Sequence, residues 1–154
     1  DVDILDRTHI FHVGSLSLTE QPARDTTHYA IRRAKEKGSI ISYDPNYRAS
    51  LWDSQEEACQ WMRSILEYAD IVKVSEEEIE LLTGYTDVRK AAESITEYGA
   101  KIVLITLGEK GSFVYLQDQQ EAFQVIPAKL WIPPVPEILL WEAFCIRFVN
   151  PVSV

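Results

Sequence analysis

The pattern of apolar and polar positions turns on Ile102-Val103-Leu104-Ile105, which runs into Thr106 without polar alternation. Such a run suits a strand buried on both faces, as in a parallel sheet covered by helices. It breaks at Gly108 and Gly111, and a second β-rich run, Ser112 to Leu116, follows at once. In open α/β sheets ligands bind beyond the carboxyl ends of strands, where Thr106 and Gly108 fall. The glycines let a backbone approach a ligand, with N–H groups free to face an anion. On spacing alone the string fits a plain hairpin equally well.

The same alternation of short apolar runs and helical periodicity extends back to the start. Thr8 to Val13 predicts a strand ending at Gly14-Ser15. His9 and His12 lie three apart and point to opposite faces of a strand, so a metal pair is not expected. Ala23 to Lys37 predicts a helix that opens after Pro22, carries Ala30, Ile31 and Ala34 on one face, and stops at Gly38. Ser39 to Tyr43 is the next strand and delivers Asp44-Pro45-Asn46-Tyr47-Arg48 to its carboxyl end. Ser54 with Glu57 forms a capping-box pattern for a helix to about Tyr68. Asp70 to Val74 is a third strand, and Ser75 with Glu78 repeats the capping pattern for a short helix ending near Gly84. Asp87 to Tyr98 predicts a further helix before the strand at 102. A β-meander from Ser112 to Ile126 closes the series. This order predicts an α/β fold with a parallel sheet and helices on its faces.

Composition narrows the function classes. The chain has 154 residues, 46% hydrophobic and 25% charged, which suits one globular domain. A net charge of −9 argues against a nucleic-acid backbone or an anionic membrane as partner. Cys59 and Cys145 are the only cysteines, so no disulfide framework is expected and a reducing cytoplasm is the default compartment. No apolar run reaches the ~20 residues that span a bilayer.

Three strings then occur in order: Asp44-Pro45-Asn46-Tyr47-Arg48 with Leu51-Trp52, Lys73-Val74-Ser75-Glu76-Glu77-Glu78, and Thr106-Leu107-Gly108-Glu109-Lys110-Gly111. Together with Ile10 to Leu18 and Pro22-Ala23-Arg24, they resemble the ribokinase-like (PfkB) sugar kinases, most closely bacterial fructokinases, over about residues 8 to 126. The resemblance implies a partial Rossmann-like ribokinase core and transfer of the ATP γ-phosphoryl group to a sugar hydroxyl, with fructose as the sugar. It places Thr106, Gly108 and Gly111 in the nucleotide-binding turn. Ser75 and Glu78 stand where the family has an N-x-x-E motif linked to Mg2+ and phosphate, which makes Glu78 the metal candidate and Ser75 a nucleotide contact. Asn46 and Arg48 lie where the family approaches the sugar and the transferred phosphoryl group, and a forked guanidinium suits that charge. Without the resemblance, Glu76 to Glu78 fit a helix dipole, Asp44 to Asn46 a turn, and Arg48 a surface ion pair.

The resemblance also defines what is missing. The family's Gly-Ala-Gly-Asp turn, whose amides hold phosphate and whose Asp takes the hydroxyl proton, has no counterpart in the sequence. Pro133, Pro134 and Pro136 occupy that region. The family's N-terminal half, with the lid through which members often dimerise, is likewise not in this sequence, and Asp1 suggests a start inside a longer reading frame. Five of the seven prolines fall from Pro127 onward, which marks a change of grammar. The expected division is a partial kinase domain over 1–127 and an aberrant tail over 128–154.

The genetic code offers a cause. Codons for Leu130 to Cys145, read from each residue's last base, permit Val-Asp-Thr-Thr-Gly-Ala-Gly-Asp-Ser-Phe-Val-Gly-Gly-Phe-Leu-Tyr. The codons of Trp131, Trp141 and Phe144 force the Asp, one Gly and the Leu. The expectation is a frame shift between about Pro127 and Leu130, and third bases spelling any other string in the coding DNA would refute it. The fragment is therefore expected to lack activity. Other expectations are a different kinase of the family, such as a 2-keto-3-deoxygluconate kinase, a non-catalytic nucleotide-binding remnant, or a product that does not fold stably.

Overall fold

The computed structural model of the chain describes residues 2–117 and 121–125. Six strands form one sheet in chain order: β1 (Ile10–Gly14), β2 (Ile40–Asp44), β3 (Ile71–Ser75), β4 (Ile102–Thr106), β5 (Ser112–Leu116) and β6 (Glu121–Val125). The first four pair in parallel, and β4, β5 and β6 pair antiparallel. The connections between parallel strands are α1 (Ala23–Glu36), α2 (Gln55–Leu66), and the pair α3 (Glu76–Thr83) and α4 (Val88–Thr96).

The caps read from sequence form as hydrogen bonds. Ser54 Oγ accepts the Glu57 N–H at 3.0 Å to open α2. A cap not singled out from sequence opens α4, where Asp87 Oδ1 accepts the Lys90 N–H at 2.9 Å. Each satisfies a backbone donor that the first helical turn leaves without a partner. Arg24 at the start of α1 ties the preceding turn down. Its guanidinium donates to Leu18 O at 2.6 Å and Thr19 O at 2.8 Å, reaches Glu57 of α2 at 3.1 Å, and stacks 4.1 Å over the Trp61 ring.

Because crossovers between parallel strands are right-handed almost without exception, a strand order that steps one place each time returns every helix to one face. The packing follows. Val13, Ile41, Tyr43, Val72, Val74, Val103 and Ile105 join Ile31, Met62, Ile65, Ile79 and Ile95 of the helices in one core. The alternate strand residues face the other way, where Ile71 and Leu104 cluster with Ile40, Ile102 and Val114 and no described helix takes part. The sequence pattern suggested helices on both faces; among the described residues they cover one. Three consecutive buried residues, Val103, Leu104 and Ile105, account for the unbroken apolar run of β4, since both faces of that strand are removed from water.

No described helix is long and apolar enough to cross a membrane. Ile105 is fully buried in the helix-side core, so Ile105→Ala is expected to cost about 2–5 kcal/mol by urea unfolding. Ser54→Ala, which removes only the cap, is expected to cost about 1 kcal/mol in the same measurement.

Candidate functional site

All four parallel strands end at the same edge, and the three quoted strings lie there side by side. In register, Gly14 pairs with Asp44 and Ser75 pairs with Thr106. Asp44, Lys73, Ser75 and Thr106 project on the face opposite the helices, which makes the carboxyl end of that face polar. Farther down it is apolar, with Ile40, Ile71 and Ile102.

Asn46 and Arg48 ride on the loop after β2. Asn46 is exposed and has φ 47°, a left-handed conformation that Asn tolerates better than most residues. Its N–H donates to Asp44 Oδ1 at 3.2 Å, and the Ser15 N–H donates to Pro45 O at 3.1 Å. Arg48 is exposed and forms no ion pair among the described residues; its Nη1 makes only a long 3.4 Å bond to Tyr47 O. The surface ion pair that Arg48 could have formed is not present among the described residues.

Glu78 is placed differently from the expectation. Its side chain is buried, and both carboxylate oxygens accept backbone N–H groups: Oε2 from Ser75 at 2.8 Å and Oε1 from Tyr47 at 2.6 Å. The first bond is half of the expected capping box. The second crosses from α3 to the loop carrying Asn46 and Arg48. Mg2+ is usually held by one or two carboxylates with waters and substrate phosphates. No group of three or more His, Cys, Asp or Glu suited to a metal occurs among the described residues. A buried carboxylate already bonded at both oxygens does not fit direct ligation of that ion.

The Thr106 to Gly111 turn is also more closed than the sequence suggested. The N–H of Leu107 donates to Gly111 O at 2.8 Å, that of Lys110 to Leu107 O at 3.1 Å, and that of Gly111 to Gly108 O at 3.1 Å. These three amides satisfy the turn itself and are not free to face an anion, because a tight turn folds its donors onto its own carbonyls. Gly111, at φ 97° and ψ −138°, holds a conformation that essentially only glycine adopts. Gly108 has φ 55°, and a Cβ built there meets nothing within 4 Å. Thr106 is half-buried, its hydroxyl 3.5 Å from Val74 O. Lys110 reaches Glu76 at 3.4 Å, an exposed pair that links turn and helix weakly.

The structure thus joins Ser75 to Thr106 by strand register, and Glu78 to the Asn46–Arg48 loop by a hydrogen bond. It shows no direct bond between Arg48 and the Thr106–Gly111 turn. Two groups went unassigned from sequence. Lys73 is buried in β3, 3.0 Å from Asp44 Oδ2, and His12 lies beside them with Nδ1 3.0 Å from Ser42 Oγ. The visible signal was a lysine inside an otherwise apolar strand, because charge in such a run demands a partner.

Burial pushes the Asp44 carboxyl above its ordinary 3.8, with Lys73 opposing. Burial holds the His12 imidazole below its ordinary 6.5, with Asp44 opposing and Lys73 adding to the depression. A raised folded-state carboxyl binds its proton more tightly than the unfolded chain does. Ionised Asp44 therefore works against folding, and stability is lost as pH rises from 3.8 through the folded value. Lys73→Met leaves that carboxylate uncompensated and is expected to cost about 3–5 kcal/mol at pH 7.5 by urea unfolding. The deficit should shrink at pH 4.5, where Asp44 takes up a proton more readily. Asp44→Asn combined with Lys73→Met should cost less than the sum of the two single changes.

Comparison with known proteins identifies the family. Residues 1–131 match the family model described as pfkB family carbohydrate kinase. Fructokinase-1 of Oryza sativa subsp. japonica is 43% identical over 119 residues, which cover 77% of this chain and 37% of that protein. The crystal structure of fructokinase from Vibrio cholerae O395 in its fructose-, ADP- and calcium-bound form superposes with a TM-score of 0.71 at 33% identity, over 79% of this chain and 39% of that one. Halothermothrix orenii fructokinase gives a TM-score of 0.73 at 30% identity, over 97% and 50%. The chain spans about a third to about half the length of the curated relatives it matches, from 32% to 52%. With the family model matched over most of its length and its three strings set at neighbouring strand ends, the chain belongs to the pfkB family of carbohydrate kinases.

Proposed function

We propose that this chain supplies the nucleotide side of an ATP-dependent phosphorylation of a sugar hydroxyl, with fructose as the sugar. The observation that carries this is the convergence of Asp44–Arg48, Ser75–Glu78 and Thr106–Gly111 at the carboxyl ends of three adjacent parallel strands. Ligands of open α/β sheets bind at that edge. Fructose is favoured because the relatives named above are fructokinases, and one of their structures holds fructose and ADP.

In this scheme the nucleotide approaches over the open side of Gly108, with Thr106 and Ser75 adjacent on the polar face. Arg48 offers a fixed positive charge to the phosphoryl group in transit, where positioning and electrostatic stabilisation do most of the work. Asn46 offers its amide to the sugar. Mg2+ enters with ATP as the ion that offsets phosphate charge. The proton acceptor is not among the residues assigned here, because no Gly-Ala-Gly-Asp string occurs in the sequence. We therefore assign the kinase part to residues 1–127 and no catalytic residue to 128–154; the structure of that segment, and the frame shift proposed to explain it, lie outside the described residues.

A second reading, nucleotide binding without turnover, is favoured by that missing string. Two measurements on the full chain separate the cases. ATP at 100 times its Kd is expected to stabilise the fold by about 2.7 kcal/mol in thermal unfolding, and Arg48→Met is expected to weaken that effect. A coupled assay with ATP and fructose is expected to show no turnover. Absence of any stabilisation by ATP would sink the nucleotide assignment, while kinase-like turnover would sink the assignment of 128–154.

A further inference from the structure

We propose that Glu78 is a positioning residue: its carboxylate fixes the backbone of the loop that presents Asn46 and Arg48, and it does so in place of binding a metal ion. The loop leaves β2 through Asp44 and turns back at Asn46, whose φ of 47° reverses the chain. Upstream of that reversal it is tethered three times, by Lys73 on Asp44 Oδ2, by the Asn46 N–H on Asp44 Oδ1, and by the Ser15 N–H on Pro45 O. Immediately downstream, the Tyr47 N–H meets Glu78 Oε1 at 2.6 Å. Tyr47 immediately precedes Arg48, so this bond sets where the guanidinium starts.

The bond is stronger than an ordinary turn contact. An N–H donating to a carboxylate is short and charge-assisted, and burial removes the water that would compete for it. The other oxygen is held by the Ser75 N–H at 2.8 Å, so the carboxylate cannot rotate toward a ligand without abandoning a helix cap. A shorter or uncharged capping side chain could serve α3 alone. A side chain that also reaches Tyr47 requires the length and both oxygens of glutamate. One residue thereby couples the start of α3, beside Ser75, to the loop after β2, two of the three strings at the strand ends.

What Asn46 and Arg48 then meet rests on the proposed function; the coupling itself does not. Nuclear magnetic resonance on the full labelled chain tests the coupling without a variant. A scalar coupling across the hydrogen bond, from the Tyr47 amide nitrogen to the Glu78 carboxyl carbon, is expected, together with slow exchange of the Tyr47 amide proton. A folded chain lacking that coupling would overturn the proposal. ATP binding is then compared between the parent and Glu78→Gln, once with Mg2+ and once with the ion chelated. A positioning role predicts that Kd rises by the same factor in both conditions, about tenfold for one charge-assisted hydrogen bond. A rise confined to the Mg2+ condition would identify a metal ligand and overturn the proposal. If the parent binds no ATP, the proposed function fails while the coupling measurement still decides the role of Glu78.

Discussion

Four parallel strands laid side by side in chain order impose most of what this molecule can do. Parallel neighbours require a crossover, and the fixed hand of the crossover sends every helix to one face. The same geometry brings all four carboxyl ends to one edge and turns the loops after β2, β3 and β4 into neighbours. Segments separated by about thirty residues in sequence become adjacent through strand pairing alone, as the register of Ser75 with Thr106 shows. The helix-side core of Ile31, Tyr43, Met62, Ile79, Ile95 and Ile105 holds that arrangement in place.

At the edge, charges are used to hold backbone. Glu78 accepts two N–H groups, Lys73 meets Asp44 inside the sheet, and Asp44 in turn accepts the Asn46 N–H. Buried charges are costly unless paired and hydrogen-bonded, so buried Lys73 and Glu78 and half-buried Asp44 each need compensation. The compensation also removes freedom. The loop with Asn46 at positive φ is tethered on both sides of that residue. Arg48, on the same loop, is exposed and forms no ion pair among the described residues.

The alternation of strands and helices was legible because each element carries its own local physics. Periodicity marked the elements, and Ser54 marked a helix start through a hydrogen bond spanning three residues. The three strings were legible as well, since each is contiguous. The roles within them were less so. The second partner of Glu78, the Tyr47 amide, lies thirty-one positions away and could not be read from the sequence. The amides of Leu107, Lys110 and Gly111 looked free because a sequence does not say how tightly a glycine turn closes on itself. Lys73 carried a signal, a charge inside an apolar strand, yet its partner could not be named.

By itself, the sequence determined the class of fold, the order of its elements, the residues that gather at the strand ends and the absence of a Gly-Ala-Gly-Asp string. Those properties depend on short-range patterns of polarity, capping and backbone freedom. Tertiary structure alone decided that the described helices share one face, that Asp44 and Lys73 form a pair within the sheet, and that the Glu78 carboxylate is committed to two amides. Such facts depend on which distant groups are brought within hydrogen-bonding distance, and that is fixed only when the strands have paired.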